Sequence, residues 1–196
     1  MSISYDPARS PLMYLKKPFT LVTTTILLGM LFMVVSFPGN ASAEPSDQIG
    51  IEQSVTKLYD DLRTIGDAIE KYRAKEGKTP DNLDALVAGG FLQAVPTMGS
   101  SLGGGGYEFM KGYDDMDGKG EKDDALYPST YVPEAICVEF NKRYASAPLN
   151  DGTVFDYQAA GGVYPGKVYG TSMKIYAIKW STTDTNCELN WVVDYN

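Results

Sequence analysis

A helical stripe of apolar residues is the feature that most restricts how this chain can fold. Between residues 51 and 72 the apolar positions are separated by alternating steps of four and three, which places them all on one face of an α-helix. The members of the stripe are Ile51, Val55, Leu58, Leu62, Ile65, Ile69 and Tyr72. Charged residues occupy the opposite face, and Gly77 is a typical helix end. A helix of this kind has to bury its apolar face against another layer.

Two kinds of partner can cover this face. The helix can pack on a sheet of its own domain, or it can meet a helix of another subunit in a coiled-coil seam. A stripe of this length packs more often inside its own domain, which favours the first interpretation. In the second interpretation the partner helix face comprises Ile51, Val55, Leu58, Leu62, Ile65 and Ile69.

The remaining elements change from helix to strand along the chain. A short helix is predicted after Thr79-Pro80-Asp81, and a third helix begins at Pro133. Segments rich in Val, Ile, Tyr and Trp follow and predict strands at residues 154–157, 163–169, 173–180 and 189–195. Helices first and strands later predict an α+β fold, with the long helix packed on a C-terminal antiparallel sheet.

The N-terminal segment, residues 1–43, has the pattern of an export signal. Basic residues precede an apolar run, and Ala41 and Ala43 provide the small residues that signal peptidase requires before a cut at Glu44. A retained membrane anchor is the alternative, because the apolar run is at the short end of what spans a bilayer. In both cases the domain of residues 44–196 leaves the cytoplasm, and it contacts a membrane only if the segment is retained.

Both cysteines, Cys137 and Cys187, belong to the exported domain. An even number of cysteines in an oxidising compartment predicts a disulfide, with two unpaired buried thiols as the alternative. Closing so long a loop should stabilise the fold by about 4 kcal/mol in the chain-entropy model. The bridge would join the third helix to the entrance of the last strand.

Composition excludes several classes of function. The chain has no His and a formal net charge of −8. The absence of His excludes Ser-His-Asp and Cys-His catalytic sets, and the acidity argues against nucleic-acid binding. The Gly-rich segment 97–106 lacks the flanking strand and Lys of a phosphate-binding loop. No spacing nominates a nucleophile with its base, so the sequence predicts a structural or binding protein and no enzyme.

A dense acidic segment is the one candidate metal site. Its carboxylates are Asp114, Asp115, Asp117, Glu121, Asp123 and Asp124. Several carboxylates on a Gly-containing loop suit calcium, which makes calcium a possible cofactor and a metal-dependent hydrolase a possible function. The match to an EF-hand loop is poor, because Lys119 occupies the fifth position. A solvated acidic turn is the alternative interpretation.

Two stretches of the chain resemble type IV pilins and the pseudopilins of type II secretion. The helix-then-loop passage is carried by Leu62-Arg63-Thr64-Ile65-Gly66-Asp67-Ala68-Ile69-Glu70-Lys71-Tyr72, Gly77, Pro80, Leu83, Leu86, Gly90-Phe91-Leu92 and Val95-Pro96. The end of the chain is similar to a type IVb pilin head, in which a disulfide delimits the C-terminal region. That similarity is carried by Val132-Pro133-Glu134-Ala135-Ile136-Cys137, Cys187 and Asn190.

This resemblance implies a pilin-like head and a role in assembly. The chain would be a major or minor subunit of a bacterial type IV pilus or related secretion filament, with other pilin or secretion-system subunits as partners. It would pass through the inner membrane and work in the periplasm or at the cell surface. A soluble secreted binding protein or adhesin with the same head is the alternative. In either case Tyr164, Tyr169 and Tyr176 could anchor contacts.

A second processing site follows from the same resemblance. The run Lys16-Lys17-Pro18-Phe19-Thr20-Leu21-Val22 is similar to the family's processing site, which places an alternative cut between Pro18 and Phe19. Pro18 stands where the family has Gly, and Thr23 stands where it has Glu. A start at Phe19 keeps an N-terminal helix for filament assembly, whereas a start at Glu44 releases a soluble head.

Overall fold

The computed structural model describes residues 45–116, 119–170 and 173–193, which belong to one compact unit. Helices and strands are interspersed along this part of the chain. In order they are α1 (Pro45–Glu76), α2 (Leu83–Ala88), β1 (Tyr107–Asp114), β2 (Asp123–Pro128), β3 (Val132–Pro133), α3 (Glu134–Tyr144), β4 (Phe155–Asp156), α4 (Pro165–Tyr169), β5 (Ile175–Lys179) and β6 (Asn186–Val193).

The three predicted helices are confirmed. Helix α1 ends where Gly77 takes a positive φ of 68° and donates its N–H to the Arg73 carbonyl at 2.9 Å. Helix α2 begins at Leu83, four residues after Thr79, because the Asn82 side chain caps it by accepting from the Ala85 N–H at 3.0 Å. Polar caps therefore fix the start of α2, and glycine fixes the end of α1.

The sheet is mixed, so the prediction of an antiparallel sheet is wrong at one edge. Its strand order is β1-β2-β6-β5-β4, with β3 also pairing β6. Most pairs are antiparallel, but β4 runs parallel to β5 with Phe155 opposite Ile178. The segment that connects β4 to β5 contains α4 and forms the crossover that parallel pairing requires. The α+β class itself is confirmed, with α1 packed on the sheet.

Two further strand predictions need correction. Residues 163–169 are not a strand: Pro165 begins helix α4, and Gly170 ends it with φ 63°. Strands β1 and β2 form a hairpin that encloses the acidic segment, and the sequence analysis assigned no strand there. The sequence of β1 lacks the regular alternation of apolar and polar residues that usually indicates a strand.

Apolar cores lie on both sides of the sheet. The first joins the stripe of α1 to α3 and to one face of the sheet, and it includes Leu126, Phe140 and Leu189. The second includes Tyr164 and Tyr176 and packs the other face against the segment that follows α3. The segment after α2 packs against α1, where the centroid of the Phe91 ring lies 5.2 Å from that of the Tyr72 ring.

Helix α3 is joined to the sheet by a disulfide and by one buried amide. Cys137 of α3 and Cys187 of β6 form the predicted disulfide, with Cα atoms 6.5 Å apart. Four residues further along α3, the fully buried Asn141 accepts from the Ala177 N–H at 2.7 Å. Its Nδ2 donates to the Thr153 carbonyl at 2.7 Å and to the Ala177 carbonyl at 3.2 Å. These contacts fix α3 against β5 and β6.

Candidate functional site

The apolar stripe of α1 is covered by other residues of its own domain. Val55, Leu58, Leu62, Ile65 and Ile69 are fully buried in the first core, and Ile51 packs partly against it. The core interpretation of the stripe therefore describes this fold. A partner helix has no access to the five buried residues while α3 and the sheet cover them.

Two carboxylates of the acidic segment have structural partners. The buried Asp123 accepts from the Met116 N–H at 2.8 Å, and the buried Asp124 accepts from the Gly112 N–H at 2.7 Å. Both bonds close the β1–β2 hairpin. Burial raises the pKa of the Asp124 carboxyl, and the hydrogen bond from Gly112 opposes that shift.

The other predicted metal ligands are more exposed. Asp114 accepts from the Asp115 N–H at 2.8 Å, Asp115 lies 3.7 Å from the Lys167 ammonium, and Glu121 is exposed. Asp117 lies outside the described residues. Among the residues that the structure describes, no three His, Cys, Asp or Glu side chains are placed together so that they could hold a metal ion. The calcium site stays a prediction of the sequence.

The processing sites lie outside the described residues. These comprise Ala41, Ala43 and Glu44, together with the alternative Pro18 and Phe19. Within residues 45–116, 119–170 and 173–193, none of the helices combines the length and apolarity needed to cross a membrane. Both processing predictions therefore need a chemical measurement on the exported protein.

Of the three tyrosines named as contact anchors, only one is accessible. Tyr164 and Tyr176 are buried in the second core, with relative exposures of 2% and 0%. Tyr169 at the end of α4 is 40% exposed, and its ring packs edge-on against Phe155 with the centroids 5.8 Å apart. The two buried tyrosines stabilise the sheet and cannot contact a partner.

A cleft with aromatic side chains opens beside the disulfide. This aromatic cleft has a volume of about 400 Å³ and is lined by Tyr131, Trp180, Thr183, Asp184, Thr185 and Asn186. Tyr131 precedes β3, Asn186 begins β6, and the other four belong to the turn between β5 and β6. Tyr131 is 57% exposed, which is unusual for so large a ring. An exposed ring in a concave place is a candidate binding feature.

Backbone pairing brings the two walls of the aromatic cleft together. Strand β3 pairs with the start of β6, with Val132 opposite Cys187 and Pro133 opposite Asn186. The disulfide leaves from the same Cys187, so it restrains both walls. On the turn side, the Asp184 carboxylate accepts from the Ser181 N–H at 2.8 Å. The walls are thus held by a strand pair, a covalent bond and a capped turn.

The Trp180 ring is fixed by two neighbours. Tyr157 packs edge-on against it with the ring centroids 4.8 Å apart, and its indole N–H donates to the Glu188 carboxylate at 3.2 Å. Burial raises the pKa of the Glu188 carboxyl, and hydrogen bonding to Trp180 opposes the shift. A ring held in this way loses little conformational freedom when a ligand binds.

The negative charge around the cleft affects the pKa of Tyr131. Partial burial raises the pKa of the Tyr131 hydroxyl, and the carboxylates of Glu188 and Asp184 raise it further, whereas a hydrogen bond with the Trp180 side chain opposes the shift. Sequence analysis missed this site, because residue 131 is far along the chain from residues 180–186. The only signal was the polar run Ser181-Thr182-Thr183-Asp184-Thr185-Asn186 directly after Trp180.

Comparison with known proteins gives no match: no family model, curated protein or solved structure is similar to this chain. The resemblance to type IV pilins therefore stays a prediction based on the residues quoted for it. The fold and the aromatic cleft are described from this chain alone.

Proposed function

We propose that this chain is an exported, non-enzymatic pilin-like subunit, major or minor, of a bacterial type IV pilus or related secretion filament. The observation that supports the proposal is the packing of α1. One face of this 32-residue helix is buried on the sheet and the other carries the charged residues, as the resemblance implies for a pilin-like head. The disulfide from α3 to the last described strand agrees with the same pattern.

The two ends of α1 differ in a way that suits such a subunit. From Val55 onward the Val, Leu and Ile residues of the helix are buried, whereas Ile49 in the earlier turns is 56% exposed. The first turns therefore contribute little to the core of the head. They are accessible to neighbouring subunits.

The aromatic cleft favours a second candidate function, a soluble secreted binding protein or adhesin with the same head. A cleft with an exposed Tyr131 and a fixed Trp180 suits ligand binding whether or not the chain enters a filament. The two candidates differ in whether the N-terminal segment is kept.

The experiment that tests the proposal is the N-terminal sequence and intact mass of the exported protein, combined with electron microscopy of sheared filaments labelled by an antibody to the head. The filament proposal predicts a start at Phe19 and labelled filaments. An Ala43→Arg variant, which blocks the signal-peptidase site, should leave this result unchanged, with Ser42→Arg as the matched control. A start at Glu44 with all protein in the soluble fraction contradicts the filament proposal and supports the soluble head.

A further inference from the structure

Among the residues that the structure describes, the charge at the aromatic cleft is negative. Its six described lining residues include the carboxylate of Asp184 and no Lys or Arg. Behind the Trp180 ring lies the carboxylate of Glu188, at 3.2 Å from the indole nitrogen. The neighbouring Lys179 directs its ammonium to Glu134 at 3.1 Å. An anionic ligand would therefore be repelled, and a cation would be attracted.

Besides negative charge, a site for an organic cation needs aromatic rings, and the cleft contains two of them. The faces of Trp and Tyr rings carry a partial negative charge, and together they form cages for quaternary ammonium groups. The ring of Trp180 is fixed by Tyr157, and the backbone next to Tyr131 is held by the pairing of strand β3 with β6. Because the Trp180 ring is already positioned, the free energy of binding is not spent on ordering that ring.

We propose that the aromatic cleft binds an organic cation with a quaternary ammonium group, in contact with the Tyr131 and Trp180 rings and with the Asp184 carboxylate as its counter-ion. The hydroxyls of Thr183 and Thr185 and the amide of Asn186 lie on the rim, where they can hydrogen-bond polar substituents of the ligand. Such a site would serve a filament subunit and a soluble head equally well, so it does not depend on the proposed function.

Size is consistent with this ligand. A volume of about 400 Å³ accommodates a small molecule and is too small for a folded partner. A small cation could reach the cleft as free choline or as the trimethylated side chain of a peptide. Both carry the same trimethylammonium group, and the experiment below distinguishes them by affinity.

The test is a titration of the exported protein with choline, followed by the ¹H–¹⁵N signal of the Trp180 indole. The neutral control ligand is 3,3-dimethylbutan-1-ol, which has the shape of choline with carbon in place of the charged nitrogen. Because each of the two cation–π contacts contributes about 0.5–2 kcal/mol, choline should bind at least about fivefold more tightly than the alcohol. A titration with Nα-acetyl-trimethyllysine amide then shows which source binds better.

Three variants make the test specific. Tyr131→Leu should weaken choline binding about fivefold and leave binding of the alcohol nearly unchanged. Asp184→Asn keeps an oxygen for the Ser181 N–H but removes the charge, so it should also weaken choline selectively. Tyr169→Leu, an equally mild change of an exposed ring outside the cleft, is the control and should have no effect.

Equal affinity for choline and the alcohol would overturn the proposal. So would unchanged choline binding in Tyr131→Leu, provided that its thermal unfolding matches that of the parent protein. If Tyr131→Leu fails to fold, the affinities of the parent protein for choline and for the alcohol decide whether the cleft binds a cation. Failure of the cation-binding proposal leaves the filament proposal intact, because the filament proposal is tested by N-terminal processing and by electron microscopy.

Discussion

The most specific prediction concerns the side chain of Asn141, because this amide hydrogen-bonds backbone groups of β5 in place of a neighbouring strand. Strand β4 is two residues long and pairs only with Ile178 and Lys179 of β5. The backbone of Ala177 lies just beyond its end, and Asn141 satisfies both the N–H and the carbonyl there. A buried backbone N–H without a partner is costly, so replacing this amide should destabilise the whole domain.

The magnitude follows from the three contacts. Asn141→Ala leaves the Ala177 N–H without a partner, which costs about 1–3 kcal/mol, and weakens two carbonyl contacts worth about 0.5–1.5 kcal/mol each. We expect a loss of about 3–4 kcal/mol in the free energy of unfolding. Asn141→Asp should lose at least as much at neutral pH, because the new carboxylate faces the carbonyls of Thr153 and Ala177.

The assay is urea unfolding followed by Trp fluorescence, with the slope of the transition compared among variants. Equal slopes show that the difference in midpoint is a difference in stability. The exposed Asn150 provides the matched control, and Asn150→Ala should change stability by less than about 0.5 kcal/mol. Asn141→Asp should recover part of its loss as the pH falls, because the buried carboxyl is tolerated when protonated.

Two results would refute this reasoning. A loss below about 1 kcal/mol in Asn141→Ala would mean that water or neighbouring groups replace the amide. An Asn141→Asp variant whose stability relative to the parent does not depend on pH would mean that position 141 is solvated. Either result would show that α3 is not fixed to β5 through this side chain.

Four further predictions concern stability. Replacing Cys137 and Cys187 by Ser should lower the free energy of unfolding by about 4 kcal/mol, and a loss under about 1 kcal/mol would contradict this. Because burial raises the pKa of Asp124, the folded state binds its proton more tightly, so stability falls as pH rises from 3.8 through the raised pKa. Asp124→Asn should therefore stabilise the protein more at pH 7 than at pH 3, and an equal effect at both would contradict this. Tyr107→Phe removes a 2.7 Å hydrogen bond to Asp61 and should lower the free energy of unfolding by about 1.5 kcal/mol. A double-mutant cycle with Asp61→Ala in which the two changes are additive would contradict this. A calcium site in the acidic segment would raise the free energy of unfolding by about 2.7 kcal/mol at a hundred times its dissociation constant, and no rise would remove the metal prediction.

The helices could be predicted from the sequence because their signals are local. The stripe that begins at Ile51 repeats every three or four residues, and the stop at Gly77 is a property of one residue. The same holds for α3, which begins after Pro133. The disulfide could also be predicted from the sequence, because the predicted export places two cysteines in an oxidising compartment and two cysteines allow only one pairing.

The sheet was predicted less well, because strand pairing joins distant residues. The hairpin around the acidic segment was missed, and residues 163–169 were assigned as a strand where Pro165 begins a helix. The parallel pairing of β4 with β5 depends on the path of the segment that connects them, and no local sequence pattern predicts that path.

The sites show the same division between local pattern and tertiary contact. Sequence alone determined the α+β class, the apolar face of α1, the disulfide pair and the absence of His chemistry. Tertiary structure decided that this face is covered by the chain itself, that Asp123 and Asp124 close a hairpin, and that Tyr131 meets Trp180 across a cleft. The physical reason is that helix periodicity is set by neighbours in sequence, whereas burial and the shape of a cleft arise only when distant segments pack together.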